Sequence, residues 1–131
     1  MSNTYQIYLI SDSTGETLDR IFTAIKAQFT NINYKIHTYS FTRTENQALK
    51  ILSDAQKNTN PIILYSIVDS NLAKYLAKNS EEKKIPCFGV LGELILSFSK
   101  LLNQKASHQP SGQHELNDEY YKRIEAIQFT M

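Results

Sequence analysis

Several residue types that define whole classes of protein are scarce in this chain of 131 residues. The single cysteine excludes an internal disulfide framework and is typical of a reducing cytoplasm. Three scattered histidines and one cysteine are too few for a zinc site. The four glycines form neither a run ending in Lys-Ser or Lys-Thr nor a three-glycine fingerprint, so the sequence contains no P-loop and no dinucleotide-binding motif.

An excess of charge of either sign is also missing, because 14 Lys and Arg residues balance 13 Asp and Glu residues. A net charge of +1 argues against a nucleic-acid or membrane-surface binder. No apolar run is long enough to cross a bilayer, and the N-terminus lacks the pattern of a signal peptide. Length and a hydrophobic content of 41% indicate one globular domain, which we expect in the cytoplasm.

Strand-length apolar runs alternate with helical spacings through residues 1–103. Strands are predicted over residues 5–10, 34–41, 61–68 and 85–90, and each is followed by a helix. Thr44 is the predicted cap of the second helix, and residues 93–103 form the fourth, with an apolar stripe. This alternation predicts a three-layer α/β fold, Rossmann-like or flavodoxin-like, with a mainly parallel four-stranded sheet.

The remaining residues, 104–131, are predicted to form a polar loop and a C-terminal helix over residues 118–129. Tyr121, Ile124 and Ile127 form one face of that helix. His114, in the preceding loop, is either a proton carrier or phosphate contact, or it pins the loop by a hydrogen bond. Arg123 either pairs with Glu119 or a neighbouring domain, or is a solvated charge.

The polar loop after the first strand is the strongest candidate site. Open α/β sheets bind ligands beyond the carboxyl ends of their strands, and a helix N-terminus favours an anion there. Ser13 and Glu16 are spaced as a capping box, which predicts where the helix starts. A capped helix without a ligand is the competing interpretation. The candidate anion-binding residues are Ser11, Asp12, Ser13, Thr14, Gly15 and Glu16.

Asp12 conflicts with a simple phosphate site, because its charge would repel a phosphate unless a cation lies nearby. Arg43, at the predicted end of the second strand, could supply that positive charge. Alternatively, Arg43 is an exposed residue flanking a helix. The sequence supports no Ser-His-Asp triad, and Cys87 is interpreted as a buried small hydrophobe.

Two segments at opposite ends of the chain carry a family resemblance. Residues 11–17, Ser-Asp-Ser-Thr-Gly-Glu-Thr directly after a first strand, resemble the opening of the pyruvate, phosphate dikinase regulatory proteins. That family also includes the phosphoenolpyruvate synthase regulatory proteins. Residues 112–129 are similar to the family segment in which Gly112, His114 and Tyr120 precede an Arg-Ile-x-Ala-Ile helix that begins at Arg123.

The resemblance implies a bifunctional serine/threonine protein kinase and phosphorylase. Such proteins phosphorylate an active-site threonine of the dikinase with ADP as donor, and remove that phosphate with inorganic phosphate as acceptor, releasing pyrophosphate. The partner would be pyruvate, phosphate dikinase or phosphoenolpyruvate synthase, and homo-oligomers are compatible with the sequence.

The family's nucleotide site lies C-terminal to the matched segments. We therefore expect this chain to be an N-terminal half, without confidently assigned catalytic residues and inactive alone. A non-catalytic phosphate- or partner-binding module and a flavodoxin-like nucleotide-binding domain are the alternatives.

Overall fold

A computed structural model of the protein describes residues 4–105. Four strands alternate with four helices, as the sequence pattern predicts. They are β1 (Thr4–Ser11), α1 (Glu16–Lys26), β2 (Asn33–Tyr39), α2 (Glu45–Lys57), β3 (Pro61–Ser66), α3 (Ser70–Glu82), β4 (Cys87–Gly89) and α4 (Gly92–Leu102).

The four strands form one sheet in the order β2-β1-β3-β4, and every neighbouring pair is parallel. The predicted α/β class and parallel sheet are therefore confirmed. All four carboxyl ends lie at one edge, so the loops after β1, β2, β3 and β4 gather there. β1 lies inside the sheet, which explains its nearly continuous apolar sequence.

Alternate side chains of β1 enter the two different layers of the core. Tyr8 and Ile10 pack with apolar residues of α2 and α3, whereas Ile7 and Leu9 pack with Leu18 and Phe22 of α1. The sheet is thus covered on both faces, with α1 on one side and α2 and α3 on the other.

Three strands end earlier than their apolar runs predict. β2 stops at Tyr39, before Phe41, whose φ of 54° cannot continue a strand. β3 stops at Ser66 because the chain then turns, and the backbone N–H of Val68 bonds to a side chain of the neighbouring loop. β4 is only three residues long, and α3 extends through Glu82.

The ring of Tyr65 in β3 lies directly against Gly89 at the end of β4. A Cβ atom placed on Gly89 would lie 2.7 Å from both Cζ and the hydroxyl oxygen of Tyr65. Only a glycine leaves room for that ring as it stands. Cys87 packs against the core beside it but is half-buried, not fully buried as predicted, and burial raises the pKa of its thiol.

Helix α4 forms where the sequence predicts it, but its apolar stripe is not covered by the described residues. None of its side chains is buried. Leu94, Phe98 and Leu101 are 58%, 56% and 80% exposed.

In residues 4–105 no helix has the length and apolar character needed to span a bilayer. The predicted C-terminal helix, His114 and Arg123 lie outside the described residues.

Candidate functional site at the carboxyl edge of β1 and β3

The site is defined by the order of the strands. The chain runs from β1 outward to β2 and then returns to add β3 on the other side of β1. Between β1 and β3 the direction of winding reverses, so the loops after these two strands are neighbours at a switch point. Ligands of open α/β sheets bind at such a point. The candidate residues 11–16 belong to the loop after β1, and residues 67–69 form the loop after β3.

Asp12 bonds the loop after β1 to the end of β3 and to the loop that follows it. Its backbone N–H donates to Ser66 O at 3.2 Å, and its Oδ2 accepts from the N–H of Val68 at 2.7 Å. The side chain is buried, with 4% exposed. Burial raises the pKa of Asp12, and the Val68 hydrogen bond and the Arg43 charge only partly oppose this. Asp12 therefore has a structural bonding role at the base of the loop.

The predicted capping box of Ser13 and Glu16 at the start of helix α1 is wrong. The N-cap is Gly15, in a left-handed conformation with φ of 87°, and no side chain caps it. The Ser13 N–H instead donates to Ser11 Oγ at 3.1 Å, and the two hydroxyl oxygens lie 3.3 Å apart. Because this chain reversal needs a positive φ, glycine is favoured at position 15.

The uncapped helix start matters for ligand binding. The first N–H groups of a helix have no partner within the helix, so without a side-chain cap they can donate to another acceptor. Thr14 and Glu16 are exposed, and Ser13 and Gly15 are half-buried, so this end of α1 is accessible. The failed capping prediction thus leaves the anion-binding prediction physically open.

The loop after β2 is bonded to the candidate loop along its length. Phe41 N–H donates to Ser13 O and Thr42 N–H to Ser11 O, both at 2.9 Å. Ser40 Oγ donates to Thr14 O at 2.9 Å. Sequence reasoning missed Ser40 and Thr42 as supporting residues; their position just after a strand parallel to β1 was the available signal.

Arg43 lies beside the candidate loop, as its position after β2 suggested. Its Nε donates to Asp12 O at 3.1 Å, and its guanidinium carbon lies 5.3 Å from the centre of the Phe41 ring. An arginine over an aromatic face is held by a cation–π attraction. The positive charge is therefore held beside the backbone of the loop at Asp12, although Arg43 as a whole is exposed.

Taken together, the carboxyl edge offers uncapped amides, hydroxyl groups and one oriented guanidinium. This combination can accept an oxyanion. Within residues 4–105, no three His, Cys, Asp or Glu side chains approach one another closely enough to hold a metal.

Comparison with known proteins identifies the class. A family model described as kinase/pyrophosphorylase matches residues 7–131. The chain belongs to this family, and the predicted family resemblance is confirmed.

The curated relatives are pyruvate, phosphate dikinase regulatory proteins. One from Pelagibacter ubique is 75% identical over 131 residues, which is 100% of this chain and 48% of that protein. Others from Geotalea uraniireducens and Bartonella quintana are 36% and 32% identical over 96% and 97% of the chain. The chain spans about half the length of the curated relatives it matches.

Proposed function

We propose that this chain is the N-terminal part of a cytoplasmic bifunctional regulator of pyruvate, phosphate dikinase. The regulator phosphorylates an active-site threonine of the dikinase with ADP as donor, and removes the phosphate with inorganic phosphate as acceptor. Phosphoenolpyruvate synthase is the other candidate partner. The nucleotide is held by a part of the full-length protein that does not match this chain.

The role of this chain in the reaction is to bind a phosphate group at the carboxyl edge. The observation that carries the proposal is the uncapped start of α1 beside Arg43, whose guanidinium is anchored to Asp12 O at 3.1 Å. Phosphoryl transfer depends mainly on positioning and on positive charge around the transferred group. The edge would hold the inorganic phosphate or the phosphothreonine, while the remainder of the protein supplies the nucleotide.

A hybrid protein tests this proposal. The 131 residues of this chain replace the matched segment of the Pelagibacter ubique relative, which they cover completely. In this hybrid, Ser13→Ala with Thr14→Ala is expected to raise the KM for phosphate in the dephosphorylation reaction at least about tenfold. The reason is that losing a hydrogen bond to a charged group costs about 1.5–3 kcal/mol.

Thr23→Ala is the matched control, because Thr23 lies on the exposed surface of α1 and bonds only within the helix, to Asp19 O. Its phosphate dependence should equal that of the unmodified hybrid. An unchanged KM for phosphate in the Ser13 and Thr14 variant would show that these two hydroxyls do not bind the phosphate group, and Arg43→Ala in the same hybrid would then have to raise this KM if the edge binds phosphate at all.

A further inference from the structure

A groove between α3 and α4 remains uncovered by residues 4–105 and is separate from the candidate phosphate site in its chemistry. Its volume is about 470 Å³. Its floor is mainly apolar, and two lysines stand at its rim. The residues that matter here are Ile67, Ala73, Ile95, Leu96, Lys74 and Lys105.

The groove has the character of an unfilled packing surface. Leu96 is 57% exposed although it faces the groove, and Ile95 is only half-buried. Exposed apolar surface bordered by charges marks a place where another segment docks. The occupant should therefore present an apolar face with acidic residues beside it.

We propose that residues 118–129 of this same chain dock in the groove. Their sequence places Tyr120, Tyr121, Ile124 and Ile127 at helical spacing, which gives an apolar stripe. Residues 118–129 contain three acidic side chains and two basic ones, so the segment carries a small net negative charge where the groove rim is basic. Opposite charges at a rim favour this pairing and its orientation.

The connection also favours this occupant. Lys105 lines the groove, and the 12 residues from 106 to 117 link it to the segment. Fully extended, these 12 residues span about 40 Å. Helix α4, with 11 residues, is about 17 Å long, so the linker can reach back along its whole length. Docking within the chain therefore benefits from a high effective concentration.

A second copy using the same groove is a poorer match. In a two-fold symmetric contact the same patch faces itself, so Lys74 and Lys105 of both copies would approach one another. Like charges brought together across an interface oppose association. The inference concerns the packing of the chain and does not rest on the proposed phosphate chemistry.

Disulfide trapping in the 131-residue chain tests the proposal. With Cys87→Ser to remove the natural thiol, Leu96→Cys and Ile124→Cys should form an intrachain disulfide under mild oxidation. It is detected as a monomer with faster migration on non-reducing gels. Leu96 is exposed, so its replacement is expected to leave the fold intact.

Two control pairs of cysteines test which face of α4 and which face of residues 118–129 meet. Leu94→Cys with Ile124→Cys uses the opposite side of α4, because positions 94 and 96 are about 200° apart around a helix. Leu96→Cys with Glu125→Cys uses another side of the segment. Both pairs should trap at least about tenfold more slowly.

Equal trapping by all pairs, or no intrachain product from Leu96→Cys with Ile124→Cys, would overturn the proposal. A disulfide formed mainly between two chains would overturn it in favour of a second copy. Lys105→Glu provides an independent readout: it should slow trapping, whereas Lys105→Arg should leave the rate unchanged, because only the former reverses the charge at the rim.

Discussion

The carboxylate of Asp12 illustrates how a single residue can hold two loops of the candidate site together. It is buried between the loops that follow β1 and β3, and its bond to Val68 N–H spans 56 positions of sequence. The sequence alone predicts Asp12 as an anion-binding residue whose charge needs compensation. The long-range partner could not be inferred, because no local pattern connects position 12 to position 68.

The pH dependence of stability should reveal the ionisation of Asp12. Burial raises its pKa above the usual 3.8, so the protonated carboxyl contributes stability below pH 4 that is lost as pH rises through the folded-state pKa. An asparagine at this position cannot ionise but retains an acceptor oxygen for Val68. Relative to the unmodified chain, Asp12→Asn should therefore gain unfolding free energy as pH rises from 3 to about 7.

Urea unfolding at several pH values measures this difference. The gain should level off once Asp12 is fully ionised in the unmodified chain. Parallel stability profiles for the two proteins would contradict a raised pKa at this position.

At the scale of secondary-structure elements, the starts of α1 and α2 differ in a way that their sequences conceal. Thr44 caps α2 in a complete capping box with Gln47, and its Oγ1 accepts from the Gln47 N–H at 3.1 Å. Ser13 and Glu16 have the same spacing but form no cap, because Gly15 adopts a left-handed conformation and the helix begins after it. The start of α1 is therefore set by the conformation of Gly15 and not by a Ser13 cap.

Alanine substitutions distinguish the two helix starts. Thr44→Ala should lower the unfolding free energy by about 1 kcal/mol, the usual cost of a lost N-cap. Ser13→Ala should cost less than Thr44→Ala, because its hydroxyl caps no helix and makes only a long contact of 3.3 Å with Ser11 Oγ. Denaturant unfolding of both variants, with Thr44→Ser as a control that keeps the cap, makes the comparison. A larger cost at position 13 than at position 44 would contradict it.

Most elements could be predicted because apolar periodicity reflects burial directly. β1 and β3 are buried by neighbours on both faces, and their sequences are correspondingly apolar. Element ends were less predictable: the positive φ of Phe41 and the turn at Val68 depend on contacts with the loop after β1. The layout of the candidate site followed from strand order, whereas its supporting bonds to Ser40 and Thr42 did not.

On the scale of the whole molecule, α4 is the least covered element of the described residues. Besides the groove, it exposes an outer stripe of Leu94, Phe98 and Leu101 on its other side. The curated relatives are about twice as long as this chain. We expect this outer stripe to be covered by the additional part of a full-length protein.

Leu101→Lys tests that expectation in two contexts. In the 131-residue chain, Leu101 is 80% exposed, so the substitution should change the unfolding free energy by less than about 0.5 kcal/mol. In the hybrid with the Pelagibacter ubique relative, burying a lysine in place of a leucine should cost about 2 kcal/mol or more. Thermal or denaturant unfolding of both proteins measures the difference, and equal effects would show that the stripe stays open.

The contact between Gly89 and Tyr65 constrains which residues position 89 can accept. Any larger residue at position 89 meets the phenol ring at 2.7 Å unless that ring has already moved or been replaced. Such a residue is therefore accommodated only if the far end of the Tyr65 side chain moves aside, and most easily where position 65 carries a smaller residue.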